Sequence, residues 1–152
     1  MMATRVNNQK VARKRKQSGK LLPYRVFISH SSLDKWIAGQ MAEKVAEAGA
    51  DYWLDVRDLP GGGDIRQEIT QGVHECQEVI ILFSPNSINS HWVSFEIGAA
   101  SAKRKYLTPI LNNVDYNSIP LIQGIKAIDL NDFGQYLTEL RKRIKKRGQR
   151  QK

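Results

Sequence analysis

Several residue types that define whole classes of protein are scarce in this sequence. The chain has one cysteine, Cys76, so a disulfide within the chain and a cysteine-based zinc site are both excluded. The three histidines, His30, His74 and His91, lack the spacing of a metal-binding motif. No apolar run approaches the roughly 18 residues that a membrane helix needs, and the basic start of the chain lacks the apolar segment of a signal peptide. These absences predict a soluble cytoplasmic protein without a metal or a membrane partner.

Acidic residues are also missing from the start of the chain, and this decides how the net charge is interpreted. The formal charge is +9, but residues 1–20 carry seven Lys or Arg and no acid, and residues 139–152 carry eight against one. The residues between these ends contain nine Lys or Arg and fourteen Asp or Glu, so the body is mildly acidic. The basic ends therefore favour only weak, salt-sensitive contact with nucleic acid, and the alternative is that they are solvated charge runs.

The length of 152 residues and the hydrophobic content of 41% predict one domain with one core. Residues 1–22 are predicted to be a disordered basic tail, residues 23–145 the folded domain, and residues 146–152 a second basic tail. Inside the domain, short apolar runs alternate with helical stretches. The predicted strands cover residues 25–29, 51–55, 78–84, 106–111 and 126–130. This alternation predicts an α/β fold, a flavodoxin-like doubly wound sheet of five parallel strands in the order 2-1-3-4-5 with helices on both faces.

Four helices are predicted to connect and follow these strands. The first begins at Ser31 or the next residue, because Ser31 and Asp34 have the spacing of a capping box. The second follows a glycine-rich loop and places Cys76 on its buried face. A third helix is predicted over 91–103, and the last begins at Asp132 and ends in the basic tail.

Ligands of doubly wound sheets bind beyond the carboxyl ends of the strands, so the segments after the first three strands are the candidate sites. Residues 29–34 lead into a helix N-terminus, which favours a phosphate, although Ser31 and Asp34 can equally serve only as helix caps. The glycine-rich segment 55–64 contains Arg57, which suits a phosphate or carboxylate. This segment lacks the Lys followed by Ser or Thr of a nucleoside-triphosphate loop.

A tryptophan and a glutamate stand four residues apart after the third strand. Trp92 and Glu96 therefore share one face of the predicted helix, where the ring can stack on a base beside the carboxylate. The alternative is a solvent-facing glutamate next to a core tryptophan. Glu96 lies in a stretch of apolar and small residues (FEIGAA), where a charge without a role is costly, and this favours a functional carboxylate.

With these residues in view, the chain resembles the Toll/interleukin-1 receptor (TIR) domain family over residues 24–145. The resemblance depends on YRVFISHSSLD at the first strand, DVRDLPGGGDI after the second strand and SPNSINSHWVSFEIGAA after the third. It implies the flavodoxin-like sheet predicted above. In the enzymatic members it further implies cleavage of NAD by a glutamate in the helix after the third strand, and Glu96 matches that position.

The resemblance also implies a set of residues that contact the substrate. Phe27, Ser29 and His30 correspond to a first-strand wall beside the nicotinamide, and Trp92 to the aromatic residue four before the glutamate. The implied substrate-binding residues are Phe27, Ser29, His30, Arg57, Asp58, Ser84 and Trp92. Val93 stands where many eukaryotic enzymatic members carry Cys, which leaves the reaction product open.

By this resemblance NAD is the substrate and no separate cofactor is needed. The implied products are nicotinamide with ADP-ribose, cyclic ADP-ribose or an isomer, made as a signal or by NAD depletion in anti-phage defence. Activity is expected to require a homo-oligomer formed through TIR–TIR contacts around the loop after the second strand. A separate effector or sensor protein is a further implied partner. Two alternatives stay open, a non-enzymatic adaptor or host-interfering module and an enzyme like the nucleoside deoxyribosyltransferases.

Overall fold

The computed structural model of the protein describes residues 22–54, 65–88 and 104–150. Within these ranges the chain forms strands and α-helices joined by single 3₁₀ turns. In chain order the elements are β1 (Arg25–Ser29), α1 (Lys35–Glu47), β2 (Asp51–Leu54), α2 (Ile65–Glu75), β3 (Glu78–Phe83), β4 (Tyr106–Leu111), β5 (Ile128–Asp129) and α3 (Phe133–Arg150). The 3₁₀ turns are Ser32–Asp34, Tyr116–Ser118, Pro120–Ile122 and Leu130–Asp132. The helix predicted over 91–103 lies outside the described residues.

All five strands form one parallel sheet in the order β2-β1-β3-β4-β5, which confirms the predicted fold. The two central strands are buried along their whole length, β1 over five residues and β3 over six. A continuous apolar strand is typical of a parallel sheet that is covered on both faces. β1 and β3 are neighbours although they are not consecutive in the chain, so the connections diverge between them.

Alternate side chains of the central strands feed two separate core clusters. Val26 and Ile28 belong to a cluster that α1 and α3 cover, whereas Phe27 and Val79 belong to a cluster on the opposite face with Val73 of α2. Cys76 is fully buried in this second cluster, as predicted, although it directly follows α2 and is not part of the helix. The sheet is therefore covered by helices on both faces. Polar groups can then gather where the strands end, at the amino and carboxyl ends of the sheet.

Two glycines are explained by the backbone around them. Gly49 follows α1 with φ of 104°, a left-handed conformation in which glycine avoids the steric penalty of a side chain. Gly72 lies on α2 against β1, where an added Cβ would stand 2.7 Å from Cε2 of Phe27. The absence of a side chain at Gly72 thus lets α2 approach the sheet closely.

Two C-terminal elements differ in extent from the prediction. β5 contains only Ile128 and Asp129, because a 3₁₀ turn begins directly after it at Leu130. α3 begins at Phe133 and continues to Arg150, five residues into the segment predicted as a basic tail. No helix in the described ranges is long and apolar enough to cross a membrane.

An ionic network at the amino end of β3 fastens α3 to the sheet. Glu78 is fully buried, and Arg143 donates to both of its carboxylate oxygens, at 2.8 Å from Nε and 3.0 Å from Nη2. Tyr136 donates its hydroxyl to Glu78 Oε1 at 2.5 Å, and the Tyr24 hydroxyl donates to Oε2. A buried carboxylate needs such partners, because desolvation of an unpaired charge costs several kcal/mol.

Candidate functional site

The polar residues predicted after β1 and β3 meet at the carboxyl edge of the sheet. The register pairs Ser29 at the end of β1 with Ile81 in β3, so the segments that follow these two strands leave the sheet side by side. Ser29, His30 and Ser84 are all buried there. The structure thus brings together three of the predicted site residues at the point where the crossovers diverge.

Asp34 links the two segments. Its Oδ2 accepts a hydrogen bond from the Ser84 hydroxyl at 2.5 Å, and its Oδ1 accepts one from Nδ2 of Asn86 at 2.9 Å. Asp34 is 5% exposed, so these bonds form in an environment that largely excludes water. Both donors follow β3, whereas Asp34 follows β1, and the carboxylate therefore holds the two segments in one arrangement.

This role corrects the expectation that Asp34 completes a capping box. Ser31 does cap, since its hydroxyl accepts from the backbone N–H of Leu33 at 3.3 Å. Asp34 makes no side-chain cap bond at the start of α1, because its carboxylate points across the sheet edge to Ser84 and Asn86. Its contribution is tertiary, which the local Ser-x-x-Asp spacing did not indicate.

The turn after β3 is shaped by serine hydroxyls. The backbone N–H of Ser84 donates to Ser87 Oγ at 2.9 Å, and this hydroxyl donates in turn to the carbonyl of Leu82 at 3.1 Å. Asn86 donates its backbone N–H to Ser84 Oγ at 3.1 Å. Each hydroxyl thus replaces a backbone partner that the strand loses where it ends, and these bonds define the turn over residues 84–87.

His30 has a defined ring orientation. Its Nδ1 lies 2.7 Å from the carbonyl oxygen of Ser31, and the residue is 5% exposed. Because a carbonyl only accepts, this contact places a proton on Nδ1 of the ring. The imidazole is therefore a buried polar group held in one orientation at the candidate site.

Phe27 occupies a different environment from the other first-strand candidates. Its ring is fully buried in the core cluster under α2. There it packs against Gly72 and beside Trp53. The side chains of Ser29 and His30 lie at the sheet edge, whereas Phe27 is part of the layer that supports this edge. Its direct contact with a substrate stays a prediction.

Four predicted site residues, Arg57, Asp58, Trp92 and Glu96, lie outside the described residues, and their roles stay predictions. Among the residues that are described, no three His, Cys, Asp or Glu side chains are grouped closely enough to hold a metal ion. Sequence reasoning missed Asn86 as a partner of Asp34. The usable signal was its place two residues after a predicted site residue, Ser84, at the end of the most buried strand.

The sequence matches the model of the TIR domain family over residues 26–144. Among curated proteins, it is 27% identical over 120 residues to the NAD(+) hydrolase TirS of Staphylococcus aureus, covering 78% of this chain and 41% of that protein. It is 28% identical over 101 residues to the 2′ cyclic ADP-D-ribose synthase BtTIR of Bacteroides thetaiotaomicron, covering 63% and 35%. The chain spans less than half the length of these relatives.

Solved structures support the same architecture. A metazoan TIR-STING receptor from C. gigas superposes with a TM-score of 0.60 at 22% identity, covering 80% of this chain and 40% of that one. The TIR domain of the Toll-related receptor TRR-2 from Hydra magnipapillata gives 0.57 at 18% identity, covering 79% and 97%. At these identities the likeness concerns the fold alone.

Proposed function

This chain belongs to the TIR domain family, and from that premise we propose that it cleaves the bond between nicotinamide and ribose in NAD⁺, with Glu96 as the catalytic carboxylate. The observation that carries the proposal is the alignment of most of the chain with relatives named NAD(+) hydrolase or 2′ cyclic ADP-D-ribose synthase. The polar edge where the segments after β1 and β3 meet supports it, since ligands of this fold class bind at that edge.

The chemistry explains the need for a carboxylate. The nicotinamide ring is a cationic leaving group, and when its bond to C1′ of the ribose breaks, the electron pair leaves with the ring and an oxocarbenium-like sugar remains. The charge of Glu96 stabilises this sugar and orients the ribose hydroxyls. Attack of water on C1′ then gives ADP-ribose and a proton, whereas attack by a nucleophile within the same molecule gives a cyclic product.

The remaining predicted residues surround the dinucleotide. Trp92 stacks on one of its rings, and Arg57 and Asp58 contact it from the loop after β2. Ser29, His30 and Ser84 contribute polar groups from the edge between β1 and β3, and Phe27 supports this wall from the core. Asp34 acts through Ser84 and Asn86 as a positioning residue, because it fixes the segment that leads towards residue 96.

We further propose that the active form is a homo-oligomer and that the product signals to a separate effector, or that NAD is depleted, in anti-phage defence. Assembly through the loop after β2 would complete the site from two copies, so activity should rise steeply with protein concentration. A concentration series of NAD cleavage, compared with the oligomeric state measured by light scattering, tests this part alone. Cleavage proportional to enzyme concentration in a strictly monomeric protein would contradict it.

The central test is nicotinamide release from NAD by the purified chain, followed by chromatography at high protein concentration. Glu96→Gln keeps the size of the side chain but removes its charge, and we expect it to lower turnover by at least about 100-fold. Glu47→Gln, at an exposed position on α1, is the matched control and should retain wild-type turnover. Equal turnover in Glu96→Gln and wild type would contradict the mechanism.

Two further outcomes identify the alternatives. A folded, self-associating chain that releases no nicotinamide at any concentration would favour the non-enzymatic adaptor. Release of free base from deoxynucleosides instead of NAD would favour an enzyme like the deoxyribosyltransferases. Chromatography of the same reaction also separates ADP-ribose from its cyclic isomers and so identifies the product.

A further inference from the structure

The outer face of α3 carries an unusual concentration of positive charge. Residues 141–150 contain seven Lys or Arg and no acid, and all ten lie in the helix. Five of these cations are exposed. They are Arg141, Lys142, Lys145, Lys146 and Arg150, and we call this set the α3 basic face. The charge run is therefore part of a folded surface and not of an extended tail.

The helix separates this face from its apolar side. Leu137 and Leu140 are buried against the sheet, and Ile144 packs on the same cluster. With 3.6 residues per turn, positions 141, 142, 145 and 146 lie next to each other on the opposite side. The cations thus form one continuous strip that points away from the core.

The anchoring of α3 holds this strip in place. Arg143 reaches inwards to Glu78 at 2.8 Å, and its guanidinium lies 4.2 Å from the ring centroid of Tyr106. Tyr136 adds a hydrogen bond to the same carboxylate. Two points of α3, about two helical turns apart, are therefore fixed to the sheet, and the exposed cations are presented on a rigid support.

Among the described residues, the carboxylates next to the strip are paired with other cations. Glu78 forms its ion pair with Arg143, and Oε1 of Glu139 lies 3.7 Å from Nζ of Lys126. Within the part of the chain that the structure describes, no carboxylate lies in salt-bridge distance of the five exposed cations. At a rise of about 1.5 Å per residue, these charges occupy roughly 14 Å of helix, a density comparable to that of phosphates along one nucleic-acid strand.

We propose that the α3 basic face binds the sugar-phosphate backbone of nucleic acid without preference for base sequence. The charges suit phosphates, and the exposed strip carries no apolar residue that would enter a lipid bilayer, because the apolar side of α3 is used in the core. This distinguishes the strip from a membrane-binding amphipathic helix. Arg143 meets β3 at its amino end, so the strip lies away from the candidate site at the carboxyl ends, and the proposal does not depend on NAD cleavage.

The test is binding of the full chain to a labelled duplex of about 20 base pairs, measured by fluorescence anisotropy between about 50 and 200 mM salt. The α3 variant replaces Arg141, Lys142, Lys145 and Lys146 with Gln. We expect it to bind at least about tenfold more weakly, and the slope of log affinity against log salt to become shallower by about 3 to 4.

A matched control replaces Arg13, Lys14, Arg15 and Lys16 with Gln and so removes the same charge from the start of the chain. We expect a smaller loss than in the α3 variant. Equal losses in the two variants, or unchanged binding in the α3 variant, would overturn the proposal, and so would binding to phosphatidylserine vesicles without binding to the duplex. Equal thermal midpoints of wild type and both variants establish that folding is preserved, and the double variant Lys142→Gln/Lys146→Gln replaces the α3 variant if its midpoint falls.

Discussion

The two ends of the sheet each hold a buried carboxylate, and they use it differently. Glu78, at the amino end of β3, receives an arginine and two tyrosines, so its charge is paired. Asp34, at the carboxyl end, receives a hydroxyl and an amide, which are neutral donors from the segment after β3. The first arrangement fastens a helix to the core, whereas the second aligns two segments beside the candidate site. The same functional group thus serves stability at one end and positioning at the other.

Breaking the Glu78 network should have the largest effect. Glu78→Gln leaves Arg143 without its carboxylate in a partly buried position, and we expect a loss of about 3–5 kcal/mol in the free energy of unfolding. Urea denaturation followed by circular dichroism measures it. Glu139→Gln, whose partner Lys126 is largely exposed, is the control and should cost less than about 1 kcal/mol. A Glu78→Gln protein as stable as wild type would show that the network adds nothing.

Removing the Asp34 carboxylate should destabilise less but impair the proposed activity more. Asp34→Ala leaves the Ser84 hydroxyl and the Asn86 amide without their acceptor, which costs about 1–3 kcal/mol. The double variant Asp34→Ala/Ser84→Ala should lose less free energy of unfolding than the sum of the two single losses, since both substitutions remove the same hydrogen bond.

The activity readout separates positioning from folding. In protein that is fully folded by circular dichroism, Asp34→Ala should lower kcat for NAD cleavage more than it raises KM, because the carboxylate aligns the segment that leads to Glu96. Additive stability losses in the cycle would contradict the hydrogen bond itself. Normal kcat in a folded Asp34→Ala protein would contradict only the positioning role.

The smallest expected effect is a loss of stability at alkaline pH, caused by the two tyrosines that donate to Glu78. Burial, and next the charge of Glu78, raises the pKa of the Tyr136 phenol well above its usual range, and the pKa of Tyr24 is raised for the same reasons. A group whose pKa is higher in the folded state contributes its stability fully below the unfolded pKa, near pH 10, and loses it as the pH rises further. Stability should therefore fall above about pH 10, and less steeply in Tyr136→Phe, as measured by thermal midpoints. An identical slope in both proteins would contradict this assignment.

The strands were predictable because their signal is local. In β1 and β3, three and five apolar residues follow one another without interruption, which is typical of a strand covered on both faces. The strand order then follows from general rules on parallel crossovers. The ends of elements were less predictable, since β5 shrank to two residues where the turn at Leu130 begins, and α3 continues to Arg150.

The candidate site was predictable in position and only partly in composition. The rule that ligands bind beyond the carboxyl ends of the strands led to the segments after β1 and β3. The resemblance singled out Ser29, His30 and Ser84 there, and the structure brings them to one end of the sheet. It did not indicate that Asp34 bridges to Asn86, because these residues are 52 positions apart and no local pattern joins them. Phe27 belongs to the core cluster under α2. The alternation of side chains along β1 did not indicate whether its ring packs in the core or lines the site.

The amino-acid sequence by itself determined the class of fold, the buried strands and the edge at which polar residues gather, because hydrophobic periodicity and turn residues act over a few neighbouring positions. Only the tertiary structure decided which carboxylate pairs with which donor, and that a run of basic residues is a folded face of α3. Those outcomes depend on contacts between residues 50 or more positions apart, such as Ser84 with Asp34 and Arg143 with Glu78, whose partners are chosen when the chain packs.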